Sequence, residues 1–242
     1  ISGGNVSKLQ LGNSKLKPSL SKEMEFGLNI DFLNRFSFEI SRSETNTSDQ
    51  IITVPLAVQY GGWPSQVQNA GSLNSKVWEA SLNTQVVKTK GISYNINIIF
   101  DRIRTKITQL DVPPFQTGPQ GQEANKCFYI REGETLGAMY GYKFLKSLAE
   151  MEEQLQAGDN IDNYTVNSDG YVIVKGTEGT VLEAPIKKLD ENGKLWYGKI
   201  GDSNPKFKIG MTHTFTYKGL GLYALLEWKN GGDIYNKSAQ WL

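Results

Sequence analysis

Cys127 is the only cysteine and His213 the only histidine among 242 residues. One thiol excludes an intrachain disulfide framework and a cysteine-rich metal site. One imidazole leaves no histidine cluster for a metal, and its position within an apolar alternation makes it a poor general base for a Ser-His-Asp triad. Charge of one sign is lacking too. Twenty-six basic residues stand against 25 acidic ones, a formal net of +1, which removes the electrostatic argument for a nucleic-acid partner. No apolar run reaches the roughly 18 residues of a transmembrane helix, but a transmembrane strand needs only about 9–11 alternating residues. The opening ISGGNVSK lacks the basic-then-apolar order of a signal peptide.

What is abundant is period-two alternation, which sends successive side chains to opposite faces of a strand. It occurs six times, in three pairs. From Glu23 to Phe32 the apolar set is Met24, Phe26, Leu28, Ile30 and Phe32, against Glu23, Glu25, Gly27, Asn29 and Asp31. After Leu33, Asn34 and Arg35 it resumes with Phe36, Phe38 and Ile40 against Ser37, Glu39 and Ser41. The second pair sets Trp78, Ala80, Leu82, Thr84 and Val86 against Glu79, Ser81, Asn83 and Gln85. It turns through 88–91 and continues with Ile92, Tyr94, Ile96, Ile98 and Phe100 against Ser93, Asn95 and Asn97. The third pair runs from Phe207 to Tyr217 and, after Lys218-Gly219, from Leu220 to Trp228. All eight prolines fall outside these segments, as a ladder that proline cannot donate to requires.

Connections within pairs are tight; those between pairs run from Thr45 to Lys76 and from Arg104 to Asn204. Alternating tight and long connections are the pattern of an outer-membrane barrel, with short periplasmic turns and long extracellular loops. The expectation is therefore all-β: an antiparallel transmembrane β-barrel segment of about six strands in three hairpins. Residues 105–204 would form a long extracellular loop, carrying a short helix over Leu148–Ala157 behind a Ser147/Glu150 capping box and a hairpin between Asn163 and Lys188. Aromatic residues at both ends of the apolar faces (Trp78, Phe100, Phe207 and Trp228 far from the turns, Phe32, Phe36 and Tyr217 near them) suit lipid-interface girdles. Arg42 breaks the apolar face of the second segment. Either a bulge changes its face or the segment is not such a strand.

Local motifs carry little chemistry. Gly219-Leu-Gly221-Leu-Tyr-Ala224 has dinucleotide-binding spacing, but it is followed by strand alternation instead of a helix. Asp190-Glu-Asn192-Gly193 and the acidic stretch from Asp159 to Asp169 do not match a twelve-residue calcium loop and read as solvated turns. The carboxylate pairs Glu23/Glu25 and Glu132/Glu134 have the spacing that puts both on one face of a strand, and a wet barrel wall explains the first pair without catalysis. No catalytic, metal or cofactor site is expected, and no enzymatic role.

Four stretches resemble one family. These are Gly12–Ile40 (GNSKLKPSLSKEMEFGLNIDFLNRFSFEI), Gln66–Leu82 (QVQNAGSLNSKVWEASL), Glu132–Phe144 (EGETLGAMYGYKF), and IGDSNPKFKIG with TFTYKGLGLYALLEWKNGGDIYN ending at Asn236. In this order they are similar to segments of the SusC/RagA-like branch of the TonB-dependent receptors, from the C-terminal barrel region. Val77 stands where the family commonly has glycine, and Thr135 where it has proline.

The resemblance implies outer-membrane import in a Gram-negative bacterium, with oligosaccharides or peptides delivered by a SusD-like surface lipoprotein. TonB would act on a plug domain not found in these residues. Residues 1–242 would then be part of a barrel domain bathed by outer-membrane lipid. Candidate lumen-lining residues are Glu23, Glu25, Asn29, Asp31, Glu39, Glu79, Ser81, Asn83, Asn95 and Asn97. Trp63, Tyr140 and Tyr142 are candidate loop contacts to substrate, with packing between loops the favoured role for their rings. The rivals are a soluble β-rich surface or binding protein, whose apolar faces would form a sandwich core, and a non-TonB porin or receptor.

Overall fold

The computed structural model describes residues 10–57, 62–120 and 126–236; the opening ISGGNVSK lies outside them. In chain order the strands are β1 (Leu20–Phe32), β2 (Phe36–Ser48), β3 (Ile51–Pro55), β4 (Ser65–Asn69), β5 (Gly71–Lys88), β6 (Ile92–Leu110), β7 (Phe115–Gln120) and β8 (Lys126–Ile130). After β9 (Ala138–Gly141) come the helix α1 (Leu148–Glu152), β10 (Tyr164–Val166), β11 (Val172–Val174), β12 (Gly198–Asp202), β13 (Pro205–Tyr217) and β14 (Leu220–Gly231). Two compact units result, residues 139–201 and the remainder.

The larger unit is built on one six-stranded sheet in the order β1-β2-β5-β6-β13-β14, antiparallel at every pairing. Its hairpin turns follow from local chemistry. Leu33 and Asn34 adopt φ of 55° and 49°, and Lys218 and Gly219 adopt 45° and 91°. Left-handed backbone of this kind matches the right-handed twist of the flanking strands.

Register sorts the side chains. One row across the sheet reads Ile30, Phe38, Leu82, Ile98, Met211, Leu226; the next reads Leu28, Ile40, Ala80, Phe100, Ile209, Trp228. Every apolar position of the alternating segments in these rows therefore falls on one continuous face. No described residue packs over it: Phe26 is 68% exposed and Leu222 66%. Aromatic pairs border the face, with Phe32 stacked on Phe36 at 4.8 Å and Phe207 edge-on to Trp228 at 5.1 Å. The buried apolar residues, Val54, Ala70, Ile107 and Cys127 among them, lie beyond these rows, where short strands fold over the distal ends of β5 and β6.

Several expectations are sharpened or corrected. β2 runs thirteen residues without a bulge, so Arg42 stays on the apolar face, opposite Phe26 on one side and Trp78 on the other. The bulges lie elsewhere, at Ser72/Leu73 and Gln85/Val87 in β5 and at Pro205/Phe207 in β13. The second of these puts Val87, not Val86, opposite Tyr94. Pro205 opens β13, a first-residue position that needs no ladder donor.

In the smaller unit, Leu145, Met151 and Val172 form a small core with Leu155, Ile161, Tyr164 and Ile186 against it. The helix is five residues long and stops well short of Ala157. Its end has a visible cause: the Gln154 carboxamide turns aside, donating to the Lys187 carbonyl at 3.2 Å and accepting from the Leu189 N–H at 2.9 Å. Ser147 caps the start by accepting from the Glu150 N–H at 3.2 Å, while the Glu150 carboxylate accepts from the Lys146 N–H at 2.7 Å. The expected hairpin is present as β10 paired with β11, three residues each.

Candidate functional site

The face opposite the apolar rows is polar over β1, β2 and β5 in these rows and mixed beyond. One row reads Asp31, Ser37, Asn83, Asn97, Thr212, Leu225; the next reads Asn29, Glu39, Ser81, Ile99, Gly210, Glu227; a third sets Glu79 against Asp101 and Asp101 against Lys208. Glu25 and Glu23 lie further along the same face, opposite Ser43 and Thr45, and Asn95 lies opposite Gln85 and Thr214. All ten residues singled out from alternation thus share one face. They are not one cluster: the set spreads over four strands.

Near the tight turns this face forms a concavity of about 640 Å³, lined by Asp31, Arg35, Asn83, Gln85, Asn97 and Thr212 among others. Hydrogen bonds inside it are long. Gln85 donates to Asn95 at 3.4 Å, and Asn95 donates to Ser93 at 3.4 Å. The Oδ1 of Asn97 is buried and accepts no hydrogen bond from the described residues. An unpaired carboxamide oxygen costs about 1–3 kcal/mol unless water or a polar solute donates to it. Only Asp31, Asn83, Asn95 and Asn97 of the ten candidates line the concavity. Arg35, Gln85, Thr212 and Thr214 join them, and of these Gln85 already belonged to the polar alternation. Arg35 is a turn residue, whose placement beside β5 depends on pairing: its carbonyl accepts from the Gln85 N–H at 2.9 Å.

The loop aromatics separate. Trp63 is half-buried and belongs to the larger unit. In the smaller unit Tyr140 is buried, its ring 6.1 Å from Tyr197, which also meets Tyr142 edge-on at 5.5 Å. The Lys187 ammonium lies 5.3 Å from the Tyr142 ring centroid. These contacts are packing. The smaller unit also has a hollow of about 820 Å³ between the end of α1 and the turn at 188–193, with Glu150, Glu153, Asp190, Glu191 and Trp196 on its walls. Trp196 carried no sequence signal, because its place depends on the chain returning past Gln154.

The two acidic stretches are used locally. Asp159 accepts from the Tyr164 hydroxyl, from the Asn163 amide at 3.2 Å and from the Asn160 N–H at 2.8 Å, and these bonds, the tyrosine's foremost, hold its pKa below the ordinary value. Asp190 caps its own turn, accepting from the N–H groups of Asn192 and Lys194, both at 2.9 Å.

No family model matches the chain. Two curated relatives from Formosa agariphila, TonB-dependent receptor P3 and TonB-dependent receptor P39, are 27% and 25% identical over 93% and 94% of the chain. The chain spans 22% and 23% of their lengths. Among solved structures, the RagAB peptide importer in its closed-closed and open-open states shares the fold, each with a TM-score of 0.58 over 88% of this chain and 20–21% of that one, at 19% and 20% identity. The chain is similar to TonB-dependent receptors along nearly its whole length, and it shares the fold of RagAB.

The stretches that resemble these receptors hold one another. Asn69 of the second stretch donates to the carbonyl of Lys17 in the first at 2.8 Å and accepts the Lys17 N–H at 2.8 Å; Asn13 donates to the Val67 carbonyl at 2.9 Å. Between the third and fourth, Asn204 donates to the Leu136 carbonyl at 2.7 Å, the Ser203 N–H donates to the Gly137 carbonyl at 3.0 Å, and the Thr135 hydroxyl donates to Asp202. Gly137 has φ 116°, and a Cβ there would lie 2.4 Å from Ser203 Oγ and 2.8 Å from Asn204 Nδ2. The departing residues are accommodated: Thr135 supplies a hydroxyl that proline would lack, and Val77 sits within the regular ladder between Ser43 and Ile103.

Proposed function

We propose that the six-stranded sheet is a section of outer-membrane barrel wall and that the full receptor is a TonB-dependent active importer in a Gram-negative bacterium. The observation that carries this reading is the register, which assembles the apolar positions of six strands into one uncovered face and the polar positions into the other. In water such a face is an aggregation liability; against lipid it is matched. The interval from Phe207 to Tyr217 on β13 rises roughly 33 Å along the strand, or about 23 Å at a tilt near 45°, close to the ~25 Å apolar band of outer-membrane barrels.

On this reading residues 1–242 are part of a barrel domain, with the tight turns in the periplasm and residues 105–204 outside the cell. Glu23, Glu25, Asn29, Asp31, Glu39, Glu79, Ser81, Asn83, Asn95 and Asn97 face the lumen, where carboxylates and amides exchange hydrogen bonds with water and a passing polar solute. The substrate is an oligosaccharide or a peptide, handed over by a SusD-like surface lipoprotein. The RagAB neighbours are peptide importers, which favours the second class. Trp63, Tyr140 and Tyr142 are the proposed loop contacts to substrate, the rings of Tyr140 and Tyr142 also packing on Tyr197. TonB acts through a plug domain of the full receptor.

Fractionation of cells making the full-length product tests the reading. Recovery in the sarkosyl-insoluble outer-membrane pellet is expected; recovery in the detergent-free supernatant would replace it with a soluble β-sandwich. A parent reading frame without a plug domain would leave a passive porin instead.

A further inference from the structure

We propose that Lys90 and Lys218 bind the phosphate headgroup of an anionic phospholipid, with its acyl chains lying on the apolar face above them. The site rests on the barrel reading, because it is the periplasmic leaflet that meets tight turns, and that leaflet is built of glycerophospholipid.

Three observations carry it. First, the turn joining β5 to β6 and the turn joining β13 to β14 are neighbours: the Lys218 N–H donates to the Gly91 carbonyl at 3.0 Å, and the Lys218 side chain passes 4.0 Å from where a Cβ on Gly91 would stand. Exposed Lys90, next to Gly91, and exposed Lys218 are thereby brought to adjacent turns, whereas Lys88 pairs with Ser93 on the polar side. Second, the charges there have one sign. The turn residues of the three tight hairpins include Arg35, Lys88, Lys90 and Lys218 and no carboxylate. Asp31, beside the turn at 33–35, faces the polar side in the row with Ser37. At the far end of the same strands the signs are mixed and paired, Glu44 with Lys76 at 3.5 Å and Asp101 with Lys208 at 3.9 Å. A patch of cations alone complements an anionic headgroup; the paired far end does not. Third, the rows next to the lysines are built for acyl chains. Tyr217, with the Lys218 ammonium 5.3 Å from its ring centroid, pairs with Leu220 and Ile92, and the following row holds Tyr94, Phe215 and Leu222. Leu220 and Leu222 are 74% and 66% exposed, so an apolar surface lies directly beside the charge.

The test uses the full-length receptor extracted in mild detergent and offered phosphatidylglycerol in competition with phosphatidylethanolamine, with bound lipid counted by native mass spectrometry. The variant is Lys90→Gln/Lys218→Asn; asparagine tolerates the left-handed backbone of position 218. Phosphatidylglycerol affinity should fall about fivefold for each lysine removed at low salt, and by less at high salt. Lys76→Gln, at the far end, and Lys88→Gln, on the polar side, should leave it unchanged, and arginine at both positions should retain it. Unchanged phosphatidylglycerol binding by the double variant in a membrane-extracted receptor overturns the proposal alone. Loss of lipid A adducts in place of phosphatidylglycerol also overturns it, by placing the patch in the other leaflet. A receptor found soluble without detergent removes the barrel reading and this site together.

Discussion

The guanidinium of Arg42 lies 5.2 Å from the centroid of the Trp78 ring. On the other side of Trp78 the register sets Arg102, and one row further on Glu44 lies between Lys76 and Met24. Glu44 accepts from the Asn74 amide at 2.8 Å and pairs with both Arg42 and Lys76. The apolar face therefore ends at Trp78 in an ordered polar margin, and Arg42 belongs to that margin instead of interrupting the hydrocarbon band.

Arg42→Leu and Trp78→Ala should couple. In a double-mutant cycle on the refolded full-length receptor, followed by the urea midpoint of its heat-modifiable band, the interaction should be about 0.5–1 kcal/mol, the range for an exposed cation–π pair. Ile98→Arg, two rows inside the margin, should cost about 2–4 kcal/mol. Equal penalties at Ile98 and at the margin would place the boundary wrongly.

Asn69 ties two distant stretches through bonds to both backbone groups of Lys17 and to the Asp49 carbonyl at 2.7 Å. Asn69→Ala removes all three, each worth about 0.5–1.5 kcal/mol net. The Lys17 amide should exchange with deuterium at least tenfold faster in the variant, with the central rows of the sheet unaffected. Protection unchanged at Lys17 would mean the bonds do not hold the segment.

Gly137→Ala should destabilise the join between residues 134–138 and 202–204. Both φ 116° and the 2.4 Å approach to Ser203 oppose a side chain, and backbone strain alone costs about 1–3 kcal/mol. Protease nicking near this join should rise in intact cells. Gly133→Ala, also at positive φ but with open space around it, separates strain from collision and should be milder.

Acid should loosen the loop at 159–164. Hydrogen bonds from Tyr164, Asn163 and Asn160 lower the Asp159 pKa, so its contribution is present above the ordinary aspartate value of about 3.9 and is lost as pH falls through the lower folded value. Hydrogen exchange of the Asn160 and Tyr164 amides should accelerate below that pH. In Asp159→Asn the acceleration should vanish, and a persisting acid transition there would assign it to another group.

Which side chains share a face was legible from one dimension, because strand geometry alternates them with period two whatever the partner. The apolar sets, the polar candidates from Glu23 to Asn97 and the tight turns at 33–35 and 218–219 all follow from that local rule. The family resemblance was legible for a related reason: its stretches carry the asparagines and glycines whose roles are local to a turn or a join. What tertiary structure alone decided was adjacency. Asn83, Asn97 and Thr212 become neighbours, and Arg42 finds Trp78, only through inter-strand hydrogen bonds that choose one register among several. The bulge at Gln85/Val87 shifts Val86 out of its alternation, and Gln154 ends the helix early by bonding to residues more than thirty positions away. Such choices are made by contacts between distant segments, and no local period encodes them.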